Sequence, residues 1–237
     1  EWVIANGEGT IHHDQKEAIF ILDWLGKAQR EGKKTALINT IYQGLNTSYN
    51  SVIRELDLLT ARDPWSLEEI RSNGGEAELF VDMCIDKATT LGGKEKLTKS
   101  IYKGCAHWES TIQGSFLRTH TQKFLKKLPY PELPLTGEYR EVVSMLASAE
   151  IYITGQYHGV YAAAAAGVPI IPFLSNSYKI EALIAWSKLK IPICTKKNEL
   201  ENLIKYSKKN ENLYSDFSSF ILNLPRHSSN YFDRHIC

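Results

Sequence analysis

Residues 151–167 read Ile-Tyr-Ile-Thr-Gly-Gln-Tyr-His-Gly-Val-Tyr-Ala-Ala-Ala-Ala-Ala-Gly, and this stretch decides the fold. The apolar run over 151–154 predicts a buried strand, and the alanine-rich run after it predicts a helix that ends at Gly167. A short buried strand followed at once by a close-packing helix is typical of a parallel sheet covered by helices. His158 is then expected in the first turn of that helix, where free backbone N–H groups favour an anion.

The same alternation of strands and helices continues in both directions along the chain. Strands are predicted over residues 2–6, 35–42, 56–61, 78–83, 100–105, 168–173 and 191–195. Helices are predicted over residues 15–31, 50–56, 64–73, 108–128, 139–149 and 178–188, and in a tail over 198–227. Asp63 is expected to cap the helix over 64–73, with Pro64 at its first position. This pattern predicts an α/β fold with mostly parallel, doubly wound sheets.

A poorly patterned stretch near residues 84–100 separates two runs of this alternation. It predicts two Rossmann-like domains facing a cleft, over residues 1–90 and 91–237, the second with the helical tail. One continuous sheet is the alternative. The chain opens in a strand with no initiator methionine, so the amino-terminal domain is expected to be incomplete.

The composition excludes several classes of protein. The chain has 237 residues, of which 43% are hydrophobic and 23% charged, and its net charge is +1. These values argue against a disordered chain and against a nucleic-acid-binding protein, which usually carries a basic excess. No apolar run reaches the length of a transmembrane segment. The four cysteines lie far apart, which predicts reduced thiols and a cytoplasmic protein and speaks against a zinc site.

A first group of candidate site residues follows the strand over 2–6. Two glycines allow the backbone to turn sharply and to approach a ligand, and Glu8 between them could accept a proton or bind a hydroxyl. A plain strand-to-helix turn with a solvated glutamate is the alternative. The neighbours His12 and His13 are expected to point apart. A metal site on this pair is not expected, because no cysteine, aspartate or third histidine stands at ligand spacing. Asp14 is expected to cap the next helix. The candidates here are Asn6, Gly7, Glu8, Gly9, Thr10 and His12.

Three further groups stand at the ends of later strands. Arg62 could clamp a phosphate or carboxylate, or it could pair with Asp63 or Glu68. His158 suits a general acid, with a locally hydrogen-bonded histidine as the alternative. The segment after residue 173 offers helix caps and two charged groups, which could also be solvated surface charges. The candidates in these groups are Arg62, Gln156, Tyr157, His158, Ser175, Asn176, Lys179 and Glu181.

Taken in order, these segments resemble the polysaccharide pyruvyl transferase family along residues 1 to about 190. The most specific pieces are Thr154-Gly155-Gln156-Tyr157-His158-Gly159 and Ser175-Asn176-Ser177-Tyr178-Lys179-Ile180-Glu181. The resemblance implies a glycosyltransferase-B-like (GT-B-like) architecture without a metal or cofactor. It also implies transfer of the enolpyruvyl group of phosphoenolpyruvate to a sugar of a surface glycan or its precursor. The family's histidine falls on His158, where it would protonate the enolpyruvyl group.

The family usually has an arginine two positions before that histidine, and this chain has Gln156 there. A neutral amide cannot replace a bidentate cation. Gln156 therefore favours an alternative of the same architecture, a glycosyltransferase that uses a nucleotide-activated sugar, with Glu181 on the ribose hydroxyls. A non-catalytic glycan-binding relative is a third alternative.

The resemblance also implies the partners: a small-molecule donor and a glycan acceptor, but no nucleic acid. It implies that the protein lies in the cytoplasm. Peripheral association with the inner face of the membrane and assembly into a homo-oligomer both stay open. No Gly-x-Gly-x-x-Gly follows the first strand, so a dinucleotide-dependent oxidoreductase is disfavoured.

Overall fold

The computed structural model describes residues 1–85, 100–106, 123–133 and 138–236. The chain forms two compact units, an α/β unit of residues 1–83 with 224–237 and another of residues 84–223. We call them the first unit and the second unit. The helical tail was predicted with the carboxy-terminal domain, whereas its last part, residues 224–237, groups with the first unit.

The first unit is built on a parallel sheet in the order β1-β2-β3-β4. Its strands are β1 (Trp2–Asn6), β2 (Lys34–Thr40), β3 (Leu58–Ala61) and β4 (Glu78–Leu79). The strand order follows the chain order, so the described strands of this unit contain no reversal of the kind that defines a doubly wound sheet. All four strands still end at one edge, because parallel strands have their carboxyl ends together.

Three helices of the first unit follow β1, β2 and β3 in turn and bury apolar residues in one cluster with the sheet. They are α1 (Lys16–Arg30), α2 (Asn50–Arg54) and α3 (Pro64–Ser72). Leu22 and Leu25 of α1 contact Leu37 and Leu59 in a fully buried cluster. As predicted, Asp63 caps α3: its Oδ1 accepts a hydrogen bond from the Ser66 backbone N–H at 2.9 Å, and Pro64 opens the helix.

The second unit has a parallel sheet in the order β5-β6-β7. Its strands are β5 (Ile101–Ala106), β6 (Ile151–Gly155) and β7 (Ile170–Pro172). Its helices are α4 (Tyr139–Leu146), α5 (Tyr157–Ala165), α6 (Lys179–Ser187), α7 (Leu200–Lys209) and α8 (Glu211–Leu222). The strand predicted over 191–195 is reduced to an isolated bridge between Phe173 and Cys194. The helix predicted over 108–128 lies mostly outside the described residues.

The two faces of the second sheet are covered by different layers. Ile151 and Ile153 pack on the residues around Leu125 and on Leu200 and Ile204 of α7. The alternate side chains of β6 face α5, where a Cβ on Gly159 would lie 2.7 Å from Thr154 Oγ1. Glycine at position 159 therefore allows α5 to approach the sheet closely, as the alanine-rich sequence predicted.

The end of the chain packs on β3 and β4 of the first unit through an aromatic cluster. The His227 ring stacks on Phe80 at a centroid distance of 4.2 Å and on Phe232 at 5.3 Å. Its Nε2 lies 3.1 Å from Thr60 Oγ1 on β3. Tyr231, on helix α9 (Ser229–Ile236), donates a 2.8 Å hydrogen bond to Glu78 Oε1. These contacts explain why residues 224–237 belong with a sheet that ends some 145 residues earlier.

Acidification is expected to weaken this packing. Burial lowers the pKa of His227 below its ordinary value, although the charges of Glu78 and Asp82 oppose the shift. The unfolded chain therefore binds this proton more readily than the folded one, so the contribution of neutral His227 is complete above about pH 6.5 and declines as the pH falls toward the folded-state pKa. The free energy of unfolding, measured in urea at neutral and at mildly acidic pH, should fall more on acidification for the native chain than for His227→Phe. Equal losses of unfolding free energy in the two proteins would show that His227 does not cause the pH dependence.

Candidate functional site

Backbone strain is concentrated where β1 and β2 of the first unit end. Five described residues other than glycine have a positive φ, and four of them are Glu8, His13, Asp14 and Asn39. The fifth, Lys188, is an ordinary helix C-cap. Such conformations cost roughly 1 kcal/mol or more each and persist mainly where the surrounding structure requires a particular geometry. The turn after β1, which the sequence predicts as a site from its glycines and Glu8, contains such a conformation at Glu8.

A chain of polar contacts links the carboxyl ends of β1, β2 and β3. Asn6 Nδ2 donates to Glu8 Oε1 at 3.3 Å, and Asn39 Nδ2 donates to Asn6 Oδ1 at 3.4 Å. The backbone N–H of Asn39 donates to Thr60 Oγ1 at 2.9 Å, and Thr60 in turn contacts His227. Glu8 itself is exposed, whereas Asn39 and Thr60 are buried. The exposed carboxylate is therefore linked, through exposed Asn6, to the buried polar residues Asn39 and Thr60.

The remaining predicted residues of this turn have mainly structural surroundings. Gly7 is buried, and a Cβ there would collide with the Thr40 side chain, so the turn after β1 requires glycine. The Thr10 backbone N–H donates to the Gly7 carbonyl at 2.9 Å, which closes the turn around Gly9. Asp14 does not cap α1 as predicted, because its Oδ1 accepts a 2.9 Å hydrogen bond from the Asn46 N–H and Gln15 is the N-cap residue.

The two adjacent histidines meet rather than point apart. His12 Nδ1 lies 3.1 Å from His13 Nδ1, and their rings are nearly perpendicular. The positive φ of His13 turns its side chain back onto buried His12, which explains the difference from the prediction. One ring must donate and the other accept across this contact, and the tautomers of the two rings decide which is the donor.

Arg62 is buried and pairs with a residue that the sequence did not suggest. Its Nη1 forms a close ion pair with Asp82 Oδ2, and both side chains are only 2% exposed. Asp63, one of the partners considered from the sequence, is also affected by the Arg62 charge, which opposes the rise that burial causes in the pKa of its carboxyl. The Arg62 backbone N–H also donates to the Thr40 carbonyl at 3.0 Å, so the residue is fixed at the carboxyl edge of β3. Its charge is matched by Asp82.

In the second unit, the β6–α5 turn places His158 at the second residue of α5. Gln156 is the N-cap residue, and its backbone N–H donates to Thr154 Oγ1 at 3.0 Å. The Tyr157 hydroxyl lies 3.0 Å from that of Tyr161 in the interior, so these rings brace the first turn of the helix. His158 is half-buried and sits among the amide groups at the positive end of the helix dipole. The arrangement matches the sequence prediction and suits an anionic ligand.

The β7–α6 turn stands next to it, since β6 and β7 are neighbours in the sheet. Lys179 is buried, and its Nζ donates to Asn176 Oδ1 at 2.8 Å. Ser175 Oγ donates to the same oxygen at 3.3 Å. Tyr178 rather than a serine or asparagine is the N-cap residue of α6, and Glu181 is half-buried in its first turn. Lys179 and Glu181 are therefore not the freely solvated charges of a surface helix.

Two of the described cysteines, Cys105 and Cys194, do not offer a nucleophile. Cys84, Cys105 and Cys194 form no disulfide within the described residues, and Cys237 lies outside them. Burial, with a contribution from Glu199, raises the pKa of the Cys194 thiol to about 12. Burial and contact with Glu132 also raise the pKa of Cys105. Both thiols are protonated at neutral pH, so neither suits thiolate chemistry.

The structure thus places the predicted residues in two groups, one in each unit. Those of the first unit lie after β1 and β3, and those of the second lie after β6 and β7. Sequence reasoning missed Asn39, Thr60, Asp82 and His227 as members of the first group. Asn39 and Asp82 carried a signal, a polar residue beside an apolar run at the end of a strand, whereas nothing near His227 in sequence pointed to Thr60.

Comparison with known proteins gives one family match. The family profile described as polysaccharide pyruvyl transferase matches residues 36–178, which is more than half of the chain. This range includes Arg62, Gln156 and His158 and ends just before Lys179. No curated protein sequence matches the chain.

Several solved structures share the fold. HepE of Anabaena in complex with UDP-glucose has a TM-score of 0.54 at 10% identity, over 95% of this chain and 74% of that one. A putative UDP-N-acetylglucosamine 2-epimerase of Listeria monocytogenes has a TM-score of 0.55 at 14% identity, over 98% and 71%. MnaA of S. aureus, in a co-structure with UDP, has a TM-score of 0.53 at 15% identity, over 92% and 68%. These likenesses confirm the predicted GT-B-like α/β fold with parallel sheets.

None of the described helices is long and apolar enough to cross a membrane.

Proposed function

Because the chain belongs to the polysaccharide pyruvyl transferase family, and is thus a transferase that modifies polysaccharide, we propose that it moves a pyruvyl group from phosphoenolpyruvate to a sugar of a surface glycan or its precursor. The observation that carries this proposal is the position of His158 at the start of α5, inside the matched range. A half-buried histidine among free helix amides suits both the binding of an anionic donor and the delivery of a proton to it.

In this proposal His158 gives a proton to the terminal methylene carbon of phosphoenolpyruvate. The adjacent carbon becomes electrophilic, and a sugar hydroxyl forms a bond to it while Glu8 accepts the proton of that hydroxyl. The carbon–oxygen bond to phosphate then breaks, and phosphate leaves with the proton of a second hydroxyl as that hydroxyl closes the ketal. No metal or cofactor has a part in this sequence of steps.

The donor's negative charge requires compensation, because Gln156 stands where the family usually has arginine. Lys179 is a candidate for this compensating charge. It lies after β7, the strand next to β6 in the sheet, and its side chain donates a hydrogen bond to Asn176. We assign it the donor carboxylate or phosphate, with Ser175, Asn176 and Tyr157 lining the same region. Arg62 is a second source of charge, although it would have to act while paired with Asp82.

On the acceptor side we assign Glu8 the sugar hydroxyl, with Asn6, Gly7, Gly9, Thr10 and His12 shaping the turn. The support is the positive φ of Glu8 together with the polar contacts that anchor it through Asn6 and Asn39. Because its carboxylate is exposed, a hydroxyl can reach it from solvent.

Gln156 favours a second candidate function, glycosyl transfer from a nucleotide-activated sugar. A neutral amide does not provide the bidentate cation that would hold a carboxylate or phosphate. Glu181 would then bind ribose hydroxyls, and the start of a helix would bind phosphate. Structures of HepE with UDP-glucose and of MnaA with UDP show such ligands on proteins of the same fold, which makes UDP the natural probe.

A calorimetric titration with phosphoenolpyruvate separates the two candidates. The native chain is expected to bind phosphoenolpyruvate, His158→Ala to lose most of that binding, and Gln156→Arg to bind roughly tenfold more tightly through a charge-assisted pair. UDP and UDP-glucose are titrated in parallel. Binding of UDP but not of phosphoenolpyruvate by the native chain would overturn pyruvyl transfer, and gain of phosphoenolpyruvate binding by Gln156→Arg alone would show that the native donor is different.

The same proposal includes the partners and the cellular location of the protein. A small-molecule donor and a glycan acceptor are the partners, and nucleic acid is not among them. We place the protein in the cytoplasm, where phosphoenolpyruvate is made, with peripheral binding to the inner face of the membrane or homo-oligomer formation as further expectations.

A further inference from the structure

In the described part of the second unit, the layers on the two faces of the sheet differ in charge. One layer consists of residues 123–128 and 196–209, which pack through Leu125, Leu200 and Ile204 on the face that carries Ile151 and Ile153. These two segments contain eight lysines and two glutamates, a formal charge of +6. Helices α4, α5, α6 and α8 contain two basic and four acidic side chains. A chain with a net charge of +1 thus carries a strongly basic layer, which we call the lysine face.

The lysines of this face are exposed to solvent, and the apolar residues of the same segments form the core beneath them. All eight are exposed, whereas the apolar residues of the same segments, such as Leu125 and Leu200, are buried. Lys197 Nζ lies 5.6 Å from the centre of the Phe124 ring, which ties the two segments to each other. The charges are therefore displayed from a packed layer rather than from a loose tail.

Little of this charge is neutralised within the face. Among the described residues, its ion pair joins Lys208 to Glu150 at 2.9 Å. The carboxylate of Glu199 accepts hydrogen bonds from Thr195 and from the Lys196 backbone N–H, at 3.1–3.2 Å, and thus closes a local turn. Glu201 is the other acidic residue of these segments.

The residue types point to one class of partner. The lysine face contains eight of the chain's twenty lysines and none of its eight arginines. Arginine forks are the usual groups for fixed recognition of nucleic-acid phosphates, whereas clustered lysines on a helix are attracted diffusely to anionic lipid headgroups. Tyr206 is 37% exposed among the lysines of α7, and an amphipathic ring of this kind suits a lipid–water interface.

We propose that the lysine face binds an anionic membrane surface and holds the enzyme there peripherally. The inference goes beyond the proposed reaction and does not depend on the identity of the donor. It assigns a surface and a ligand chemistry, the negatively charged phospholipid headgroup, to a part of the chain that the candidate site does not use.

Vesicle co-sedimentation of the full chain tests this proposal. Vesicles of equal parts phosphatidylglycerol and phosphatidylcholine should bind the protein, and vesicles of phosphatidylcholine alone should not. The triple variant Lys127→Gln, Lys205→Gln, Lys209→Gln should bind the anionic vesicles at least about tenfold more weakly, because each lysine near such a surface contributes roughly fivefold. Added salt should weaken the native binding, since the contact is electrostatic.

A matched control removes the same charge from the first unit. Lys16→Gln, Lys27→Gln, Lys34→Gln changes three exposed lysines there and should leave vesicle binding within about twofold. Thermal unfolding of both variants shows whether they are folded. Equal binding of the two variants, or no binding of the native chain to anionic vesicles, would overturn the proposal. So would tighter binding to a short DNA duplex at the same salt concentration, since the face would then be a nucleic-acid surface.

Discussion

Replacement of His158 by alanine is expected to lower turnover by roughly 10²–10⁴-fold while the protein remains folded. Removal of a positioned general acid costs about this factor. The His158 side chain is half-buried at the start of α5 rather than fully buried in the core, so its loss should cost little stability. The measurement is the release of phosphate from phosphoenolpyruvate in the presence of a glycan acceptor. Thermal unfolding of the same variant shows whether it is folded.

His235→Ala is the matched control for this experiment. His235 lies exposed on α9 of the first unit, where its Nδ1 lies 2.8 Å from the Tyr231 carbonyl oxygen. This variant should retain turnover within about twofold, as surface substitutions usually do. Turnover of His158→Ala close to that of the native chain would remove His158 from the chemistry, whereas a similar loss in both variants would point to a general effect on the protein.

Replacement of Asp82 by alanine is expected to lower the free energy of unfolding by about 3–5 kcal/mol. Asp82 and Arg62 form an ion pair with both side chains almost fully buried. Removal of one partner from a buried pair leaves the other charge without its counter-ion in a region of low dielectric constant. The measurement is the urea unfolding of Asp82→Ala beside that of the native chain.

The double variant Arg62→Met, Asp82→Leu tests whether the pair has a role beyond stability. It removes both charges and fills the volume with apolar groups, so it should recover much of the stability that Asp82→Ala loses. If Arg62 contributes to donor binding, the folded double variant should bind phosphoenolpyruvate more weakly. Unchanged binding would assign Arg62 a purely structural role, and a small stability loss in Asp82→Ala would contradict the importance of the pair.

The regular elements of this fold were predictable because each depends on neighbours in sequence. Asp63 and Pro64 mark the start of α3, and the apolar run at 151–154 followed by alanines marks β6 and α5; the structure confirms both. The ends of strands were less certain. The strand predicted over 78–83 stops at Leu79, because pairing with β3 covers only two residues.

The contacts within the candidate site depend on residues far apart in sequence, and for this reason they were not predicted. The sequence indicated Arg62 as a charged group at a strand end, but its partner Asp82 stands twenty residues later. Nothing near His227 indicates that it meets Thr60, which is 167 residues away. The meeting of His12 with His13 depends on one positive φ, which a local sequence pattern does not reveal.

The discontinuity of the first unit has a consequence for the order in which the protein is made. Its strands end by residue 83, and the segment that carries His227 begins at residue 224. At a synthesis rate of roughly 5–20 residues per second, the ribosome needs roughly seven to thirty seconds to pass from one to the other. During that interval the whole second unit is produced, while β3 and β4 still lack the ring of His227. The first unit can therefore be completed only after the whole second unit has been translated.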